Sequence, residues 1–271
     1  MCTIVVLNRV HPQFPVVIAA NRDEFYARET APPRALRKSP RIVGGLDRRQ
    51  GGTWLGLTPE GAFAAVTNQR DWFPPTPAPR SRGEIPISVL EAVSAPGVTD
   101  LGGAARAHLR AMDPGEHASF NLMFAEPRGA QVAYGRREAG ITEVFDLPAG
   151  IHVLANDRLR SPDFPKLARA ESLIEPTAAA PWSELAGALA ALLSDHALPP
   201  VDSIEEPPPG SRFTRELAHR LQAICIHTPS YGTRSATIVA LRPGGVAHYL
   251  FADGPPCEAE FQDLTRLVSG D

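Results

Sequence analysis

The first 25 residues constrain the fold most. Thr3-Ile4-Val5-Val6-Leu7 and Val16-Val17-Ile18-Ala19-Ala20 are apolar runs rich in β-branched side chains, separated by a loop holding Pro12 and Pro15. Side chains that branch at Cβ favour extended backbone, and two such runs around a short proline-bearing loop predict a hairpin. The second run ends abruptly in Asn21-Arg22-Asp23-Glu24, which is an amide, a cation and two carboxylates.

Further along, Gly51-Gly52-Thr53-Trp54-Leu55-Gly56, a turn at 57–61 and the apolar run 62–68 predict a second hairpin whose last residue is Asn68. Residues 31–40 are rich in Pro and Arg and are expected as surface loop. Pro74, Pro75, Pro77 and Pro79 make 71–82 too proline-dense for an internal strand or helix, so a loop or lid is expected there. Helical spacing of apolar residues appears at 87–93, 101–112, 164–173 and 182–196, and strand patterns at 120–125, 130–134, 141–145 and 151–156. Three last strands are predicted at 223–226, 237–241 and 246–251, the final two forming a hairpin around Arg242-Pro243-Gly244-Gly245. Runs of strands, then helices, then strands, joined mainly by hairpins, argue for an α+β fold with antiparallel sheets. Nine or ten strands suit two sheets stacked face to face with helices outside. No linker divides the chain, so residues 1–271 are expected to form one domain.

Bulk properties exclude several classes. A formal net charge of -3 and a charged fraction of 21% leave no electrostatic footprint for nucleic acid. No apolar run approaches a membrane span, and the N-terminus lacks the basic and apolar regions of a signal peptide. Cys2, Cys225 and Cys257 form neither a disulfide framework nor a metal-ligand spacing. The eight histidines are scattered without a His-Glu-x-x-His pattern, so no metal site is expected. A protein of a reducing, cytoplasmic compartment fits these features.

Cys2 stands where removal of Met1 makes it the N-terminal residue. A thiol bearing its own α-amine carries its proton acceptor on the same residue, because the two groups titrate near pH 8.5 and pH 8 respectively. Arg22 is a candidate to lower the thiol pKa, and Asp23 a candidate to orient the amine by accepting its protons. The blander reading makes Cys2 a small buried hydrophobe and Asn21 to Glu24 a solvated turn. Asn68 and Asn156 likewise serve either as oxyanion donors or as caps at strand ends.

Cys2, Ala20-Asn21-Arg22-Asp23-Glu24-Phe25, Gly51 to Gly56, Thr67-Asn68, Phe120-Asn121-Leu122 and Tyr231-Gly232-Thr233-Arg234-Ser235 occur in one order along nearly the whole chain. Together they resemble the NRDE family, also called the transport and Golgi organisation protein 2 family. That family is similar, more distantly, to the cysteine N-terminal nucleophile (Ntn) hydrolases, which include penicillin V acylase and bile salt hydrolase. The resemblance implies a four-layer αββα sandwich and hydrolysis of a linear, non-peptide amide. It implies Cys2 as nucleophile, Asp23 as the carboxylate orienting the amine, and Asn68 and Asn156 as oxyanion donors. Arg212 in Ser211-Arg212-Phe213 resembles the late arginine of the acylases, with Arg234 a rival for that role. The acylases carry an arginine where this chain has Ala19-Ala20, and Arg22 is the nearest replacement. The family resemblance equally implies a carrier of haem or of an acyl-CoA or lipid ligand. Any haem would be non-covalent, since no Cys-x-x-Cys-His motif exists. Without haem, no cofactor is expected, and the partner is a small-molecule amide or acyl ligand.

Overall fold

Every residue of the first strand and the first eight of the second are buried, so the sheet they build must be covered on both faces. The computed structural model describes residues 2–73, 80–211 and 213–270. In chain order the first strands are β1 (Thr3–Asn8), β2 (Val16–Phe25), β3 (Thr30–Lys38), β4 (Arg41–Asp47), β5 (Leu55–Leu57) and β6 (Phe63–Asn68). Helices α1 (Glu84–Val93) and α2 (Leu101–Ala111) follow. Then come β7 (Phe120–Glu126), β8 (Gly129–Arg136), β9 (Ile141–Asp146) and β10 (Gly150–Leu154). Helices α3 (Lys166–Ile174), α4 (Trp182–Leu193) and α5 (Arg215–Arg220) lead to β11 (Tyr231–Arg242), β12 (Gly245–Ala252), β13 (Gln262–Asp263) and α6 (Thr265–Ser269).

Two sheets result, in the orders β10-β1-β2-β11-β12-β13 and β3-β4-β5-β6-β7-β8-β9. All their pairings are antiparallel. Alternation along β1 and β2 distributes their side chains between two cores. Ile4, Val6, Ile18 and Ala20 pack against Val43, Leu57, Phe63 and Met123 of the other sheet. Val5, Leu7, Val17 and Ala19 pack outward onto Leu167, Leu185 and Leu189 of α3 and α4. On the far side, Ala64, Leu122 and Phe124 are covered by Ile85, Val89, Leu90 and Leu109 of α1 and α2. The layers therefore run helix, sheet, sheet, helix, as the sequence predicts. No helix among the described residues is long and apolar enough to cross a membrane.

Three stretches differ from expectation. Residues 31–40, expected as loop, hold most of β3, and the following β4 carries no signal that the sequence reading used. β3 lies at the edge of the seven-stranded sheet, and its register with β4 slips between Ala31 and Arg34, where Pro32 and Pro33 lack N–H groups. An edge strand tolerates such prolines, and its arginines discourage pairing with another sheet. Residues 223–226, expected as a strand, form a bent segment instead. The N–H of Ile226 donates to Thr233 Oγ1 at 2.9 Å, and the Ile224 carbonyl accepts from Asn21 Nδ2 at 2.9 Å. Side chains thus supply some of the partners that a neighbouring strand would have given, and backbone contact with β11 is confined to its end, where Thr233 N–H donates to Ile226 O at 2.8 Å. Of the proline-dense loop, residues 74–79 lie outside the described residues.

Phe63 is fully buried between the sheets. Phe63→Ala is expected to remove about 3–5 kcal/mol of stability, seen in urea titration as a lower midpoint at unchanged slope.

Candidate active site

The register of β1 on β2 creates the site. Thr3 faces Asn21, so the next step outward brings Cys2 level with Arg22. Alternation then puts Arg22 on the same face as Ala20, toward the opposite sheet. Arg22 and Ala20 line one small hollow with Cys2, Trp54 and Val66. Asn21 points the other way, into the α3–α4 layer, where its Nδ2 donates to Leu193 O at 2.8 Å and Ile224 O at 2.9 Å.

Cys2 is half-buried and opens onto a cavity of about 110 Å³, which Arg22, Asp23, Glu24, Trp54, Asn68 and Arg82 also line. A second cavity, about 330 Å³, shares Asp23, Glu24, Asn68 and Arg82 and continues past Phe25, Phe213, Leu217, Leu221 and Tyr231. Asn68 ends β6 in the opposite sheet, is exposed, and lines both cavities.

Burial pushes the Cys2 thiol above its ordinary value, and the Asp23 carboxylate adds to this. The Asp23 backbone N–H and the Arg22 guanidinium act in the opposite direction by favouring the thiolate. Burial also raises the Asp23 carboxyl, against the pull of Lys166, a hydrogen bond from Thr233 and Arg22. Thr233 Oγ1 donates to Asp23 Oδ1 at 2.6 Å, and Tyr231 OH donates to the Asp23 carbonyl at 2.9 Å. Lys166 is fully buried, with Nζ donating to Leu221 O at 3.2 Å, and desolvation lowers its pKa against the attraction of Asp23.

Arg22 lies over the Trp54 ring at 4.3 Å and stands 4.0 Å from Glu24, while its Nη1 has no hydrogen-bond partner among the described residues. Trp54 reaches this position because β4 has Gly45 there, where a Cβ would come within 2.2 Å of the indole. Arg82 donates to Ser119 O at 3.2 Å, and desolvation brings its guanidinium down to about 10 despite Glu24.

The other expected residues are placed as follows. Asn156 is buried beside Asn68 and donates through Nδ2 to the Asn68 carbonyl at 2.6 Å, and it lines the larger cavity only. Arg234 turns away from both cavities. Its Nη1 donates to Phe25 O at 3.2 Å and Tyr26 O at 2.8 Å, clamping the chain after β2. Arg212 lies outside the described residues. Asn121 ties the sheets together below the site, with Nδ2 donating to Thr67 Oγ1 at 3.1 Å and to Ala155 O at 3.2 Å.

The sequence reading missed Arg82, Lys166 and Thr233. Thr233 belongs to the Tyr231 to Ser235 motif, and Lys166 repeats with Ala170 and Ile174 along the buried stripe of α3, a placement that signals a partnered charge. Arg82, at the end of a proline-rich loop, carries no local signal.

Solved hydrolases share this fold. A Caenorhabditis elegans N-acylethanolamine-hydrolyzing acid amidase ortholog superposes with a TM-score of 0.51 at 13% identity, over 90% of this chain and 93% of its own. A variant of the conjugated bile acid hydrolase from Clostridium perfringens gives 0.56 at 13% identity, over 98% and 94%. At such identities the likeness concerns the fold. A family model described as Transport and Golgi organisation 2 matches residues 1–250. The human Transport and Golgi organization protein 2 homolog is 30% identical over 256 residues, spanning 89% of this chain and 86% of its own length. The chain belongs to the Transport and Golgi organisation 2 family.

A carboxyl whose folded pKa exceeds its unfolded value binds protons more tightly in the native chain, so stability falls as pH rises through that interval. Asp23→Asn removes this slope. Its stability relative to wild type is expected to rise as pH climbs from the ordinary carboxyl value of 3.8 toward neutrality, measured by urea unfolding at several pH values. A relative stability that falls over the same range contradicts the assignment.

Proposed function

We propose that this protein is a cysteine Ntn hydrolase that cleaves a linear, non-peptide amide through an acyl-thioester on Cys2. The observation that carries this reading is the shared cavity in which Cys2, from one sheet, meets Asn68, from the other, with Arg22 and Asp23 alongside. Thiol, cation, carboxyl and amide donor are the parts that acyl transfer needs.

With Met1 removed, the Cys2 α-amine accepts the thiol proton and Asp23 holds the resulting ammonium. The thiolate attacks the amide carbonyl carbon, a C–S bond forms, and the π pair moves onto oxygen. Asn68 donates an N–H to that oxyanion. On collapse the carbonyl re-forms, the C–N bond breaks, and the leaving amine takes its proton from the Cys2 ammonium. A water then gives a proton to the α-amine and attacks the thioester. The C–S bond breaks, the sulfur recovers a proton, and the carboxylic acid departs. Asn156 acts as a positioning residue, because its hydrogen bond holds the strand end that presents Asn68. Arg22 has a free donor at Nη1, and with Arg82 it favours a substrate carrying negative charge or acceptor oxygens near the scissile bond. The larger cavity has polar residues at its Asp23 end and an apolar wall of Phe25, Phe213, Leu217 and Leu221, which suits an apolar acyl chain.

That apolar lining also suits carriage of an acyl ligand without turnover, and kinetics on a panel of fluorogenic N-acyl amides separates the two. Hydrolysis predicts that Cys2→Ala abolishes product formation while leaving substrate binding in place. It also predicts that Asn68→Ala lowers kcat by roughly 10²–10³-fold with little change in KM. Turnover that persists in Cys2→Ala contradicts hydrolysis, and binding with no turnover in the wild type supports carriage.

A further inference from the structure

A second cluster of reactive side chains lies past the end of α4, and none of its members lines either cavity. His196 follows α4, Cys225 and His227 sit in the bent segment between α5 and β11, and Cys257 lies in the turn after β12. Their donor atoms all fall within 4.8 Å of one another. The two sulfurs are 3.7 Å apart, and His227 Nε2 is 3.7 Å from Cys225 Sγ and 3.2 Å from Cys257 Sγ.

The three separations among Cys225, His227 and Cys257 approximate the edges of a coordination tetrahedron, and His196 stands within 4.8 Å to supply the fourth corner. Around a zinc ion with Zn–S of about 2.3 Å and Zn–N of about 2.0–2.1 Å, ligand sulfurs stand about 3.8 Å apart, and sulfur and nitrogen about 3.5 Å. A disulfide instead requires the sulfurs to close to about 2.0 Å and leaves both imidazoles without a task. The second nitrogen of His196 is also engaged. Nδ1 stands 3.0 Å from the Cys225 carbonyl oxygen, so Nδ1–H donates there and Nε2 keeps the lone pair. Metal-ligating histidines ordinarily have such a partner. Cys225 is held in turn by its N–H, which donates to Asp195 O at 2.8 Å, next to His196.

We propose that His196, Cys225, His227 and Cys257 form a structural zinc site of the His₂Cys₂ type. The S₂N₂ donor set selects zinc over magnesium or calcium, which prefer oxygen ligands. Binding of Zn²⁺ displaces one proton from each thiol, giving a neutral centre. The ion would join three segments distant in sequence and brace the wall behind Asp23. Ile226 lies between two ligands, its N–H donates to Thr233 Oγ1, and Thr233 donates to Asp23. The proposal is independent of whether Cys2 turns over a substrate.

The test is metal content of the full-length, tag-free chain by elemental mass spectrometry, with visible absorption after Co²⁺ replacement. The expected result is one zinc per chain and an intense tetrahedral, thiolate-bound Co²⁺ spectrum. His227 and Cys257 are exposed, so the double variant His227→Ala/Cys257→Ser should fold, as circular dichroism checks. It is expected to lose more zinc affinity than the roughly 10–100-fold that follows loss of a residue behind a ligand. Wild-type chain that takes up no stoichiometric zinc, or a double variant that binds zinc as tightly as wild type, overturns the proposal. So does a Cys225–Cys257 disulfide in protein taken from cells.

Discussion

The alignment of Thr3 with Asn21 across the first two strands is the constraint from which the rest follows. It sends alternate residues of β1 and β2 into two different cores, and a slip of one residue would exchange them. The same alignment turns Cys2 and Arg22 toward the opposite sheet while Asn21 reaches back to hold the carbonyls of Leu193 and Ile224. One hairpin therefore both builds the centre of the sandwich and delivers a thiol and a guanidinium to its open end.

Around that end the chain accumulates charge that water would otherwise solvate. Asp23, Arg22 and Lys166 are all buried, and each is pushed toward its neutral form by desolvation. The attraction of Asp23 for the two cations, together with the Thr233 hydroxyl and the backbone carbonyls around Lys166, offsets only part of this penalty. Groups arranged so are a weak source of stability, because the energy of removing them from water rivals what the pairing returns. Buried titratable groups with shifted pKa values, two of them lining the cavity at Cys2, are the kind of arrangement that acid–base chemistry uses.

Much of this was legible because it is local in sequence. The hairpin, the Asn21 to Glu24 cluster and the strand ending at Asn68 are short patterns whose spacing reports their placement directly. β3 was not legible: Pro32, Pro33 and its arginines read as loop, and only the position at a sheet edge makes them compatible with a strand. Residues 223–226 failed the opposite way, since Ile224 is buried by packing with α4 and Ile226 by packing with Leu221 and Leu217 rather than by lying in a continuous strand. Arg82 enters the site through a loop, and no periodicity marks it. The His–Cys cluster brings together residues separated by 29, 2 and 30 positions, so no short motif announces it.

The account stands on the sulfur of Cys2 becoming the N-terminal nucleophile in that cavity. Intact-mass analysis of protein isolated from cells, before and after an electrophilic acyl probe, tests this most directly. The predicted result is a chain lacking Met1 that gains a single acyl adduct, mapped to Cys2 and absent from Cys2→Ala. A chain that retains Met1 and leaves Cys2 unmodified would contradict it.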